Sequence, residues 1–123
     1  MALTHTAPLG NVISDSGRVD AKRLALSIDV TLPTLARALG KSPRRLHDDP
    51  TAKSIQTRAL QIVDRVNKLA EDLGGTKFAL AWLNLPTAEL GGESAMDYLT
   101  SGDDRKFAVG LNHIDLYLMM VPD

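Results

Sequence analysis

The clearest helical pattern in the chain is SIQTRALQIVDRVNKLAEDLGG, residues 54–75. Its apolar residues follow one another at steps of 4, 3, 1, 3, 3, 1 and 3, which is the spacing of one face of an α-helix. Ser54 is a candidate N-cap, and Gly74 with Gly75 provides a stop signal. The stretch therefore predicts a long central helix whose apolar stripe is buried in a core or in a dimer seam.

Three shorter helices are predicted before it. Asp20 caps the first, and Thr31 begins the second, which ends at Gly40. Ser42 and Pro43 read as the cap and first residue of the third, which Asp49-Pro50 ends.

The region after the central helix is also predicted to consist of short helices. KFALAWLNLP predicts a short helix that stops near Pro86, with Trp82 as the anchor of a core. Leu90-Gly91-Gly92 marks a tight turn, Ser94 caps a brief helix, and Asp103-Asp104 open the last one. With no strand pattern anywhere, the fold class expected is all-α.

The length of 123 residues corresponds to about one domain, and a hydrophobic content of 44% is enough for a core. Within it we predict a flexible N-terminal arm over residues 1–19, a helix-turn-helix-like region over 20–73 and a small helical domain over 76–123.

Several classes of function are disfavoured by composition. The absence of cysteine excludes disulfides and thiolate sites, and no run approaches the ~18 apolar residues of a membrane span. The histidines His5, His47 and His113 are far apart, and the neighbouring carboxylates of Asp48 and Asp49 point in different directions on a helix. We expect a cytoplasmic protein that is not an enzyme and has no metal, cofactor or membrane partner.

Charge is unevenly distributed along the chain. Residues 1–68 hold eleven Lys/Arg against six Asp/Glu, a balance of +5, whereas residues 69–123 hold three against nine, a balance of −6. The basic half suggests a polyanionic partner and the acidic half a basic protein, unless the clustering is incidental on a solvated surface.

The stretch LARALGKSPRRL, residues 35–46, has the pattern of a helix-turn-helix. Lys41, Arg44 and Arg45 would lie at the start of its second helix, where they could contact phosphates and bases of DNA. The alternative is a corner of a helical bundle with a solvated basic rim.

The stretch FAVGLNHIDLYLMMVP, residues 107–122, contains a single formal charge, on Asp115. A terminal helix that is apolar on most sides is surrounded by its own core, forms a homodimer seam, or inserts into a partner. The adjacent Met119 and Met120 suit an adaptable binding surface. We therefore predict an insertion segment, with core packing or a homodimer seam as the alternative.

Residues 81–111, AWLNLPTAELGGESAMDYLTSGDDRKFAVGL, resemble the toxin-binding domain of the Xre/MbcA/ParS antitoxins. The pattern is Trp-Leu, a proline, Leu-Gly-Gly, a capped short helix, a glycine and an apolar last helix. Ala95 stands where the family has a proline. The motif residues in this chain are Trp82, Pro86, Leu90, Gly91, Gly92 and Gly102.

The resemblance implies an antitoxin of a type II system that binds a RES-domain toxin and blocks its NAD-binding cleft. It implies a homodimer within a heteromeric complex and, through the upstream helix pair, autoregulation by binding operator DNA. The alternative is a stand-alone helix-turn-helix repressor that dimerises through its C-terminal half. The residues expected to block the toxin are Asp115, Tyr117, Leu118, Met119, Met120, Val121, Pro122 and Asp123.

Overall fold

The computed structural model describes residues 9–120, and this part of the chain is all-helical, with no β-strand. The all-α prediction is confirmed. The helices are α1 (Ala21–Ser27), α2 (Leu32–Leu39), α3 (Pro43–Asp48), α4 (Gln56–Leu73), α5 (Thr76–Leu83), α6 (Ala95–Leu99) and α7 (Asp104–Met120). Short 3₁₀ turns occupy Gly10–Val12, Lys53–Ile55 and Ala88–Leu90.

Most helices begin at a side chain that accepts hydrogen bonds from free backbone N–H groups. Asp20, Thr31, Ser42 and Ser94 all act in this way, as the sequence predicts. The Ser54 prediction is wrong: the 3₁₀ turn Lys53–Ile55 leads directly into α4, which has no side-chain cap. The turn already orders the residues that precede α4.

The predicted apolar stripe of α4 lies in the core. Ile55, Ala59, Ile62, Val63, Val66, Leu69 and Ala70 are buried, and Leu73 is partly buried. The helix ends at Gly74, whose φ of 93° is left-handed, a conformation that glycine adopts without steric cost.

The segment before α1 is packed against the rest of the protein. A flexible arm was expected over residues 1–19, and for residues 9–19 that prediction is wrong. Leu9, Val12 and Val19 are buried. The Gln56 side chain accepts from the Val19 N–H at 2.7 Å and donates to the Val19 carbonyl at 3.1 Å. Apolar burial and this pairing with α4 hold the segment; residues 1–8 lie outside the described part.

Helix α7 is joined to α4 along one edge by three polar contacts. The α4 residues are spaced by seven, or about two turns, so they lie on nearly the same face. The pairs, from the beginning of both helices to their ends, are Arg58–Asp104, Arg65–Asp115 and Asp72–Tyr117. These contacts fix the position of α7 on α4. Because the residue numbers rise together along both helices, α4 and α7 run parallel to each other.

The two predicted helical regions share their core in the described residues. Buried residues from Leu9 to Ile114 form one hydrophobic cluster. A polar contact also joins the regions, because Arg37 Nε of α2 donates to the Thr100 carbonyl after α6 at 2.9 Å. Among residues 9–120, no helix combines the length and apolarity needed to cross a membrane.

The crossing of α6 and α7 leads to a prediction about Gly110. A Cβ at this position would lie 3.2 Å from Leu99 Cδ2 and 3.2 Å from Tyr98 Cβ. Replacing Gly110 by leucine should lower the free energy of unfolding by about 1–3 kcal/mol through overpacking, measured by urea denaturation. Ala108→Leu is the matched control, since Ala108 is exposed on the same helix and should change stability by less than about 0.5 kcal/mol. Equal unfolding free energies for the two variants would contradict the close contact.

Candidate functional site

The basic residues of the helix pair are accessible but share their surroundings with carboxylates. Arg44 and Arg45 are exposed in the first turn of α3, and Lys41 is half-buried. A groove of about 260 Å³ between α3 and the start of α4 is lined by Lys41 and Arg45 together with Asp48 and Asp49. The two carboxylates oppose the attraction that this groove would have for a phosphate.

Trp82 does not anchor the core, contrary to the prediction. Its neighbour Leu83 is fully buried, whereas Trp82 is half-buried at the surface of the cluster. Successive helix residues point about 100° apart, so only one of the two can face inward, and the smaller side chain does.

Trp82 instead lines an open groove of about 490 Å³, which we call the Trp82 groove. Its walls come from the end of α5, the connection to α6, and one face of α7. The lining residues are Trp82, Leu85, Pro86, Thr87, Glu89, Ala95, His113, Leu116, Tyr117 and Met120.

Three rings form the floor of this groove. The Trp82 ring stacks on His113, with centroids 5.5 Å apart and planes at 22°, and it contacts Tyr117 at 4.9 Å with planes at 41°. The Tyr117 hydroxyl donates to Asp72 Oδ2 at 3.0 Å. Burial, together with this acceptor carboxylate, raises the pKa of the Tyr117 hydroxyl, so the phenol stays protonated and keeps donating.

The connection from α5 to α6 forms the opposite wall and is closed by its own hydrogen bonds. The Gly92 N–H donates to the Thr87 carbonyl at 2.9 Å, and the Thr87 N–H donates to the Glu93 carbonyl at 3.0 Å. Gly91 and Gly92 have φ values of 67° and 88°. Glycine adopts such positive φ angles without steric cost, and the chain can therefore form this tight turn. Leu90 is buried beneath the turn, and Pro86 lies in the groove wall.

The end of α7 leaves large apolar side chains in solvent. Met119 and Met120 are 80% and 81% exposed, and Leu116 is 49% exposed. Leu118 is partly buried against the core. Of the residues predicted to block a toxin, Val121, Pro122 and Asp123 lie outside the described part.

Asp115, one of the residues predicted to block a toxin, has a partner within the chain. Arg65 donates to both of its carboxylate oxygens, from Nε at 3.1 Å and from Nη2 at 3.0 Å. A two-pronged guanidinium contact fixes the orientation of the carboxylate that it holds. Asp115 therefore positions α7.

The motif residues meet around the groove in part. Trp82 and Pro86 line it, and Leu90, Gly91 and Gly92 shape its wall. Gly102 lies elsewhere, against Arg37 of α2, where a Cβ would be 2.8 Å from Arg37 Cγ. Leu85, Glu89 and His113 were not predicted as site residues. Their residue types do not indicate a shared site, which forms only when the turn and α7 bring them together. Residues 9–120 contain no group of three or more metal-ligating side chains.

The Arg65–Asp115 contact predicts an effect on stability. Asp115→Ala should lower the free energy of unfolding by about 1 kcal/mol, a modest value because the two side chains are 40% and 21% exposed. A double-mutant cycle with Arg65→Ala, measured by urea denaturation, should give a coupling energy of about 0.5–1 kcal/mol. Additive effects of the two substitutions would mean that the contact does not stabilise the fold.

The chain matches no protein-family model, no curated protein and no solved structure at a significant level.

Proposed function

We propose that this protein is an antitoxin that binds a RES-domain toxin and closes the toxin's NAD-binding cleft with its C-terminal segment. The resemblance of residues 81–111 suggests the kind of partner, and the exposed apolar end of α7 is the observation that supports binding through this segment. Met119 and Met120 extend into solvent on a helix that is otherwise held firmly on α4. Apolar side chains gain free energy when a partner removes them from water, which makes this end of the helix a candidate contact surface.

The attachment of α7 supports an insertion mechanism. Arg65 and Asp72 hold α7 at Asp115 and Tyr117, a few residues before the methionines. The exposed end is therefore presented from an ordered helix, which reduces the conformational entropy lost on binding. The flexible methionine side chains can adapt to the walls of a cleft.

The resemblance to the Xre/MbcA/ParS antitoxins adds support, because two of the residues that carry it lie beside the end of this helix. Trp82 contacts Tyr117, and Pro86 lies in the same groove. In the proposed complex, Leu118, Met119, Met120, Val121 and Pro122 enter the cleft, and the carboxylates of Asp123 meet arginines that would otherwise bind the NAD phosphates. Neutralisation then consists of excluding the dinucleotide.

The proposal is tested by replacing Met119 and Met120 together with aspartate. Two charges in an apolar contact should weaken toxin binding by about 30-fold or more, the loss typical of an interface hot spot. The measurements are rescue of growth on co-expression with the product of the adjacent reading frame, and inhibition of NAD consumption by that product once purified.

Leu26→Asp is the matched control, because Leu26 is 84% exposed on α1, far along the chain from α7. It should leave neutralisation unchanged, and circular dichroism should show the parental helicity for both variants. Full neutralisation by the methionine variant would rule out insertion of this segment. Failure of the parent protein to bind the toxin would rule out the antitoxin function.

The alternative function, a DNA-binding repressor, is supported by the exposure of Arg44 and Arg45 at the start of α3. If they contact phosphates, Arg44→Ala with Arg45→Ala should weaken binding to upstream DNA and lower the slope of log K against log salt by about 2. Fluorescence anisotropy between 50 and 200 mM salt measures both quantities. An unchanged slope would show that these arginines do not bind DNA.

A further inference from the structure

We propose that the Trp82 groove binds a basic amphipathic helix of a protein partner. The helix places an apolar side chain on the Trp82 ring and a lysine or arginine beside Glu89. This contact is separate from the insertion of the α7 end, although Met120 borders both surfaces.

The apolar part of the proposal depends on the side chains around the groove. Leu85 is 59% exposed on one rim, and Leu116 is 49% exposed on the other. Trp82 and Tyr117 form a half-buried floor between them. Apolar rims on two separate elements, with an aromatic floor, suit a helix laid into a groove with its apolar face inward.

The charge of the occupant follows from Glu89, the carboxylate among the residues that line the groove. Asp104 contacts Arg58, Asp115 contacts Arg65, and Glu93 contacts Lys106. Glu89 differs from these. Its side chain is 80% exposed, and in the described residues its ion-pair contact is to His113, 3.9 Å away, which is charged only when protonated.

A cationic side chain of a partner could therefore pair with Glu89 at the groove rim, since no lysine or arginine of the described residues forms an ion pair with this carboxylate. Such a contact costs little desolvation because Glu89 stays at the edge of the interface, and it favours a basic partner over an acidic one.

Assigning the helix to the toxin depends on the proposed antitoxin function, whereas binding of a basic helix by the groove does not. The test therefore uses synthetic peptides first. Two tryptophan-free helical peptides share one leucine face and carry either lysines or glutamates on the flanks of that face.

The single tryptophan of the chain reports on the groove directly. The lysine peptide should change the emission of Trp82 saturably, and the glutamate peptide should not. Glu89→Lys should weaken binding of the lysine peptide by about fivefold or more, through loss of the ion pair and added repulsion. Asp48→Lys is the matched control: it changes the net charge equally at an exposed position that lines the other groove.

Three outcomes would overturn the proposal: an unchanged emission with the lysine peptide, equal binding of the two peptides, or equal effects of Glu89→Lys and Asp48→Lys. Lysine-peptide binding that requires removal of residues 121–123 would also overturn it, because the occupant would then be the chain's own end.

Toxin binding is measured separately with the same variants. If the peptide binds but the toxin does not, the antitoxin function fails and the groove assignment stands. If the toxin binds equally to the parent and to Glu89→Lys, and the peptide is not bound, the groove assignment fails and the antitoxin function stands.

Discussion

The arrangement of this protein depends on the attachment of α7 to α4. Arg58, Arg65 and Asp72, spaced by two helical turns, contact α7 at its beginning, near its end and at its last aromatic residue. Ile114 is fully buried between these contacts. Apolar burial gives the pairing its strength, and the polar contacts give it its register, since they are directional. Both candidate binding surfaces are positioned by this pairing.

Part of the charge asymmetry of the chain is neutralised by ion pairs within the fold. Arginines of the basic half bind carboxylates of the acidic half, as at Asp104 and Asp115. The exposed charges that a partner can reach include Arg44 and Arg45 on α3, and Glu89 at the rim of the Trp82 groove. A partner responds to these local fields because salt screens more distant exposed charges.

The groove and the exposed helix end both follow from the position of α7. Tyr117 contacts Trp82 and Asp72 near the end of α4, and Leu118 still packs against the core, so Met119 and Met120 are the residues that extend into solvent. The helix therefore contributes Leu116 and Met120 to a groove and leaves Met119 in solvent. An apolar surface kept out of the core by directional contacts nearby is suited to a partner rather than to the interior.

The helices could be predicted from the amino-acid sequence, because caps, glycine stops and the 3.6-residue period are local properties of the chain. The apolar excess of the last helix is visible there as well. Three features could not be predicted from it: the pairing of Asp115 with Arg65, the burial of Leu83 rather than Trp82, and the position of Glu89 beside a groove. These outcomes depend on which side chains distant segments bring together, and no spacing along one segment encodes that.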